Sequence, residues 1–335
     1  MTPDLSVVVA VYNEDPRNLL SMIDRLRGVI SPLGLSYEVV FVNDGSGPKA
    51  SQALREIAEQ VDYVKLVMLS RNFGQQAAIT AGMDHCDGQA VVNIDSDLQD
   101  PPELISEMVR LWKDGYDVVY AQRSSRRDRL SKRLSAHLFY RVLGAISSVK
   151  IPWDTGDYRL MDCKVVAALA RLPEKTRFLR GMVPWLGFRQ IGVSIERDAR
   201  CIGESTYTLK KLLSLAADGL LSFSMAPLYL IPLLGLVLCA AGAVGLLVCF
   251  ISGSLHHGHI STAVVIASVA IFTGLQILCT GILSIYLSKV LEEVRARPTY
   301  LVAERLGAPF TGEASRERSA STNRSVLAPV KSADS

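Results

Sequence analysis

No Asp, Glu, Lys or Arg occurs from Gly219 to Ser288, a gap far too long for one buried helix of a soluble domain. The gap divides into two apolar runs, 226–251 and 262–286, each longer than the roughly 20 residues that cross a bilayer. Between them lies SGSLHHGHI, a polar loop. The competing reading, a hydrophobic hairpin inside a large soluble core, requires two uncharged runs of this length to be buried in protein. Among the six cysteines there is no C-x-x-C spacing, and Cys239, Cys249 and Cys279 fall within the apolar runs. That excludes a zinc ribbon or a disulfide framework and fits small buried residues in a reducing compartment. Histidine is scarce as well, at five, and no Ser-His-Asp or Cys-His arrangement stands out. Three of the five, His256, His257 and His259, sit in the polar loop, where a solvated loop is favoured over a metal site. A formal net charge of +3 by itself argues neither for nor against nucleic acid, no nucleic-acid partner is expected, and there is no internal repeat.

The most informative stretch is AVVNIDSDLQDPP, residues 90–102. An apolar strand delivers Asp95 and Asp97 at its carboxyl end, and side chains two apart on extended chain face the same way. Aspartate is a poor strand residue. A like-facing pair at a strand end suits a divalent cation that also takes phosphate oxygens, the usual habit of magnesium. The plainer reading is a turn into a helix opened by Pro101 and Pro102.

Strands are expected at Ser6–Val11, Glu38–Val42, Lys65–Leu69, Ala90–Ile94 and Asp117–Tyr120, and helices at Asn18–Ile30, Lys49–Gln60, Gln75–Cys86 and Pro102–Lys113. The alternation predicts a mostly parallel α/β sheet covered by helices on both faces. Ligands of such sheets bind beyond the carboxyl ends of the strands. Tyr12-Asn13-Glu14, Asn43-Asp44-Gly45-Ser46 and Asp95-Ser96-Asp97 all fall there, so three polar clusters converge on one crevice. The chain divides into 1–204, an α/β domain; 205–224, an amphipathic helix suited to a membrane interface; 225–288, two membrane helices; 289–306, a C-terminal segment; and 307–335, a tail of disordered composition. Lys210 and Lys211 precede the first run, and Lys289, Arg295 and Arg297 follow the second, which places both ends of the hairpin on the cytoplasmic side. Leu5–Val11 is too short for a signal peptide, so the first domain is expected in the cytosol. Trp185 is expected in the core, while Trp153 is read as either an interface anchor or a core residue.

With these motifs in register, the chain resembles family 2 glycosyltransferases of the GT-A fold, within the polyprenyl-phosphate branch. That branch includes dolichol-phosphate mannose synthases, bactoprenol glucosyltransferases and undecaprenyl-phosphate aminoarabinose transferases, and the bactoprenol type matches best. The resemblance rests on VVVAVYNE (7–14), VNDGS (42–46), SRNFGQQAAITAG (70–82), IDSDLQDPPELI (94–105), GYDVVYAQR (115–123), DTGDYRLMD (154–162), RFLRGMVPWLGF (177–188), GESTY (203–207), the twin spans and VRARPTYLV (294–302). It implies an inverting transfer of a sugar from a nucleotide-sugar, with UDP-hexose favoured, to undecaprenyl phosphate on the cytoplasmic face of a bacterial inner membrane. The enzyme would be multi-pass, with Mg2+ or Mn2+ as cofactor and a homo-oligomer expected. It implies that Ala10, Tyr12, Glu14, Val42 and Asp44 hold base and ribose, while Asp95, Ser96 and Gln99 line the donor site. Asp97, with Asp95, would hold the metal, and Arg123 and Arg200 would meet phosphates. Arg123, Arg126, Arg127, Lys132, Arg133 and Ser135 form the expected acceptor-phosphate segment; as a solvated loop, the same segment would bind anionic headgroups nonspecifically. Asn43 stands where the pattern has a first Asp, and Thr206 where it has a lysine.

A lipid phosphate is already ionised at neutral pH, so the transfer needs no strong base. Asp157 is therefore either a base or a group that orients its neighbours. With Asp97 and Arg123 it completes the expected catalytic set. A processive polysaccharide synthase would need a Q-x-x-R-W motif, and the chain has no Arg-Trp pair. A non-catalytic nucleotide-sugar-binding adaptor would have no use for Asp44, Asp95, Asp97 and Asp157 together.

Overall fold

The computed structural model describes residues 2–123, 155–174, 177–195 and 262–309, together with positions 235, 237, 240, 242 and 244. Among these, 2–123, 155–174, 177–195 and 298–309 belong to one compact unit, and 262–297 with the isolated positions to a second.

In the first unit a mixed sheet of eight strands is ordered β7-β5-β6-β4-β1-β2-β3-β8. β1 (Leu5–Val11), β2 (Tyr37–Asn43), β3 (Val64–Leu69) and β4 (Ala90–Asp95) pair in parallel. Their runs are apolar on both faces because both faces are covered. α1 (Pro16–Ile30) begins with Pro16 at a position where a missing N–H costs nothing, and the Asp15 side chain accepts the Arg17 N–H as N-cap. Leu19, Met22, Ile23, Leu26 and Ile30 recur at helical spacing and are buried against Val7, Val9 and Phe41. Burying each such side chain contributes about 1.5–3 kcal/mol before entropy is subtracted. α2 (Pro48–Gln60) also opens on proline.

The other face of the parallel strands is covered by α3 (Gln75–Asp84), whose buried Ala77, Ala78, Ala81 and Gly82 let the helix lie close to the sheet. A Cβ on Gly82 would collide with Val8 Cγ1 and crowd Val42. α4 (Leu104–Lys113) leads to β5 (Val118–Arg123), which pairs antiparallel with β6 (Thr155–Asp162) and parallel with β7 (Gln190–Ile195). β6 also runs antiparallel to β4. α5 (Cys163–Ala170) and α6 (Leu179–Trp185) join β6 to β7. Chain order moves from β1 through β2 to β3, then returns to place β4 on the other side of β1. That reversal opens a crevice at the carboxyl ends of β1 and β4.

β8 (Val302–Gly307) was not anticipated as a strand. It pairs antiparallel with β3 and lies in the stretch read from sequence as a separate segment, running one residue into the tail. Its alternating exposure is that of an edge strand. The bidentate Arg55–Glu304 pair, the Ser70 N–H donating to Leu301 O at 2.9 Å and the Tyr300 hydroxyl donating to Asp84 Oδ2 at 2.8 Å fasten it. Trp185, expected in the core, is 56% exposed, because it closes a short helix of which only Leu179, Gly181, Met182 and Val183 turn inward.

In the second unit α7 (Thr262–Val294) starts where the second apolar run was expected to start and continues past its expected end at 286. At 1.5 Å per residue its 33 residues span about 50 Å. Within it, Ile271–Ser288 has a mean hydropathy of 1.7 and is long and apolar enough to cross a membrane. It is the one such helix among the described residues. Of the first expected run only Gly235, Val237, Ala240, Gly242 and Val244 are described, all helical, and the expected two-helix hairpin as such lies outside the described residues. The amphipathic segment 205–224, the polar loop and most of the tail lie outside the described residues.

Candidate active site

The carboxyl ends of β1 and β2 are bound to each other by a ring of short polar contacts. Asn13, at φ 54°, adopts the left-handed conformation that asparagine tolerates better than most residues. Its N–H donates to Ser46 Oγ at 3.0 Å, and its Oδ1 accepts the Gly47 N–H at 2.7 Å. Asn43 accepts the Ser46 N–H and donates to Ser51 Oγ, so it is spent within the loop. Glu14 Oε1 accepts from the Asp15 N–H and from Asn18 Nδ2, pinning the start of α1. Tyr12 stands 56% exposed at the mouth. Ala10 is partly buried, and Val42 is fully buried beneath α3.

Asp44 was expected to meet the nucleotide. It is 2% exposed, and its two oxygens accept the backbone N–H groups of Phe73 and Gly74 at 2.7 and 2.9 Å. Burial pushes its carboxyl up, and these two N–H groups resist the shift. The geometry makes Asp44 a brace that holds the Phe73-Gly74 turn against the end of β2, so it shapes the crevice from behind.

β4 ends at Asp95, and Asp97 is placed by a turn rather than by strand alternation. Both carboxylates are half-buried. Asp97 Oδ1 accepts the Gln99 N–H at 3.1 Å, closing an Asx-type turn, while Leu98 adopts φ 58°. A leucine in that region is strained and is held by its surroundings. The Tyr158 hydroxyl, donating to Pro101 O at 2.9 Å, supplies part of that hold. Ser96, Gln99 and Asp100 are buried around the turn. The turn and the metal-type readings of this stretch are therefore compatible: one oxygen of Asp97 shapes the loop, and the pair stays at the crevice.

Asp157 leaves β6 almost fully buried and meets three partners. Arg180 donates through Nε to Oδ1 at 3.1 Å and through Nη2 to Oδ2 at 2.9 Å; Gln76 Nε2 donates to Oδ2 at 3.1 Å; Arg159 stands at 4.0 Å. Burial pushes the carboxyl up, but Arg180, Arg159 and Gln76 outweigh it and hold it below the ordinary aspartate value. A carboxylate so held is a poor proton acceptor. Between the two roles read from sequence, the geometry favours orientation over base action.

Sequence reasoning placed Gln75 and Gln76 only at the start of a helix facing the crevice, with packing as their alternative role, and gave Arg159 and Arg180 no role. All four lie inside motifs quoted above, but nothing local says that residues 76, 157 and 180 meet. Gln75 Nε2 donates to Asp95 Oδ1 at 2.8 Å, so consecutive glutamines of α3 reach both carboxylate centres. Arg123 ends β5, and its side chain lies outside the described residues. Arg126, Arg127, Lys132, Arg133, Ser135 and Arg200 also lie outside them.

Residues 6–169 match the family model described as glycosyl transferase family 2. An uncharacterized glycosyltransferase of Synechocystis sp. is 42% identical over 92% of this chain and 98% of its own length. The bactoprenol glucosyl transferase of Shigella phage SfX is 34% identical over 90% of this chain and 99% of its own. A solved mannosyltransferase from Pyrobaculum calidifontis, in complex with GDP-Man and Mn2+, aligns over 88% of each chain at 17% identity with a TM-score of 0.42. Identity at this level over almost the full length of both sequences, on a GT-A-like mixed sheet, makes this chain a member of glycosyl transferase family 2.

Proposed function

We propose that this glycosyltransferase moves a hexose, from UDP in preference to GDP, to undecaprenyl phosphate at the cytoplasmic face of a bacterial inner membrane, with inversion at C1. The observation that carries the proposal is the pair Asp95 and Asp97, half-buried at the carboxyl end of β4 beside the reversal in strand order. The acceptor class is supported by the name of the Shigella phage relative and by the uncharged runs that would keep the chain at a lipid surface. Of those runs, α7 supplies a helix of membrane-crossing length. The run 226–251 would complete a hairpin, with the basic flanks in the cytoplasm.

The residues present suit a magnesium or manganese ion. Among the described residues no three His, Cys, Asp or Glu form a closed cage. Asp95 and Asp97 would therefore supply one or two carboxylates and leave the remaining positions to phosphate oxygens and water. When bound, the ion would supply charge stabilisation to the leaving diphosphate.

In the transfer, an oxygen of the lipid phosphate forms a bond to the sugar C1. The bond from C1 to the diphosphate oxygen breaks, and its electron pair leaves with the nucleoside diphosphate. The attacking oxygen carries no proton at neutral pH, so no side chain has to remove one. Asp44, through Phe73 and Gly74, keeps the start of α3 against the crevice, and Asp157 stays ionised to hold Arg180 and Gln76. Arg123, Arg200 and the basic segment from Arg126 to Arg133, with Ser135, are proposed to meet phosphates of donor and acceptor.

Radiolabelled nucleotide-sugars, supplied one at a time with undecaprenyl phosphate in detergent and either metal, test the proposal. One donor should yield a mild-acid-labile labelled lipid. Nucleotide binding without labelled lipid from any donor would sink the acceptor assignment.

A further inference from the structure

The short strap that leads into β8 takes hold of the crevice segment at two places. Ser70, just past the end of β3, donates its N–H to Leu301 O at 2.9 Å. The Tyr300 hydroxyl donates to Asp84 Oδ2 at 2.8 Å, and the Tyr300 and His85 rings meet edge to face with centroids 6.2 Å apart. Asp84 is the last residue of α3, and His85 caps it. Consecutive residues of the strap therefore bind the chain before the Phe73-Gly74 turn and again at the far end of α3. β8 gives the strap a firm base. It pairs with β3 from Lys65 to Leu69, with a shift of register between Met68 and Leu69, where β3 gives way to the turn. Arg55 of α2 holds Glu304 on the same strand.

Between these two holds lie the contacts that shape the crevice. The Phe73 and Gly74 N–H groups rest on Asp44, Gln75 reaches Asp95, and Gln76 reaches Asp157 and accepts the Leu179 N–H at 3.1 Å. The ten residues of α3 make a hydrogen-bonded rod of about 15 Å. A shift imposed at Asp84 is carried along such a rod to Gln75 and Gln76 instead of being absorbed on the way. Its height over the sheet is already fixed, since Gly82 lies so close to Val8 that a Cβ there would collide. The contacts at its two ends are left to fix its position and tilt.

We infer that Tyr300 is a positioning residue for the crevice: through Asp84 it sets where α3 rests, and so where Gln75 holds Asp95 and Gln76 holds Asp157. The inference deepens the proposed function and rests on its reading of the crevice as the donor site. A tyrosine suits the task because its ring packs in the strap while its hydroxyl reaches one defined acceptor. Small displacements matter at such a site, since groups that orient a reaction act only at close range. Tyr300 stands six residues beyond the end of α7 in the chain, so the stretch that follows the apolar helix also supports the crevice.

The test follows the full chain in detergent by amide hydrogen exchange and by calorimetric titration with UDP and magnesium. Tyr300→Phe keeps the ring and removes only the hydroxyl. It should speed exchange at the Phe73 and Gly74 amides by about three- to tenfold, the worth of one hydrogen bond, and weaken UDP by a similar factor. Exchange in α1, on the other face of the sheet, should stay at the wild-type rate, with Tm close to wild type. Asp84→Ala should reproduce both changes, and the double variant should be no worse than either single one, because the two residues act through one contact. Asp84→Asn, which keeps an oxygen for the hydroxyl, should recover most of the loss. Exchange that quickens only at 81–85 and 298–307, with UDP affinity unchanged, would overturn the inference and leave Tyr300 a staple of β8. So would collapse of the unfolding transition in both Tyr300→Phe and Asp84→Ala. A wild type that binds no UDP would sink the donor reading alone, and exchange at Phe73 and Gly74 would still decide the role of Tyr300.

Discussion

The two ends of the parallel strands carry the same kinds of charged side chain and use them in opposite ways. At the amino ends, Lys65 of β3 pairs with Glu38 at 2.6 Å and Asp87 at 2.7 Å, and Glu38 Oε1 accepts from the Ser6 hydroxyl at 2.5 Å and the Asp87 N–H at 2.7 Å. The Lys65 side chain is 3% exposed, and the cluster is sealed. Burial pushes the ammonium down, but the two carboxylates outweigh it and hold its affinity for the proton above the ordinary lysine value. At the carboxyl ends, Asp95, Asp97 and Arg180 stand half-buried around a crevice. Strand polarity accounts for the difference. α1 and α3 begin at the carboxyl ends, so their first N–H groups and positive dipole ends lie there, and anionic ligands are favoured at that edge alone. A closed charge cluster holds strands together; a half-buried one lies where a ligand can reach it.

Lys65→Met should break the comparison most severely. Removing one partner of a buried ion cluster costs about 3–5 kcal/mol, a fall in Tm of about 10 °C by thermal unfolding. Folded protein at low temperature should keep its affinity for UDP. Asp97→Asn should do the reverse: turnover falls by about 10²–10³, as when one charge-stabilising group is removed, while Tm moves by no more than a few degrees. Gly82→Ala should reach both ends, because its Cβ meets Val8 and lifts the helix that carries Gln75 and Gln76. Overpacking there should cost about 1–3 kcal/mol, with a measurable rise in KM for the donor.

Two smaller effects sharpen the contrast. Asp157 titrates below its ordinary value of 3.8 in the folded chain. Its stabilising contribution is therefore complete above the unfolded value and lost as pH falls through the folded one. Stability measured by denaturant should drop more steeply below about pH 4 in wild type than in Asp157→Asn. The rate of transfer should rise from pH 5 to 7 with the second ionisation of a phosphate monoester, near pH 6, with no added step from Asp157. Last, Glu304→Gln removes a half-exposed pair at the β8 edge. Surface pairs contribute little, so the denaturant midpoint should shift only slightly.

The sequence carried the first half of the sheet openly. Leu5–Val11, Tyr37–Asn43, Val64–Leu69 and Ala90–Asp95 are compact apolar runs, each followed by a helix, and the strand ends match the expected ones to within one residue. β6 was hidden because TGDYRLMD mixes two acids and an arginine into a strand, and their burial depends on partners far away. β8 was hidden because VAERLG follows a long apolar helix and pairs with a strand some 240 residues earlier, which no local pattern encodes. The crevice was legible from its aspartates, since Asp95 and Asp97 stand at a strand end in the chain itself. Asp44 was legible as a site residue but not as a brace, because its partners at Phe73 and Gly74 become visible only when the turn folds back. Arg180 was silent for the same reason: it stands on a helix, and its partner Asp157 lies on a strand 23 residues earlier.

The most direct measurement sets the two ends against each other in one assay. Transfer of labelled sugar to undecaprenyl phosphate is followed in wild type, Asp97→Asn and Lys65→Met at equal amounts of folded protein, with Tm recorded for each. The account predicts a crossing: Asp97→Asn folds like wild type and labels almost no lipid, and Lys65→Met melts early but labels lipid at close to the wild-type rate. Labelled lipid at wild-type rates from Asp97→Asn would contradict it.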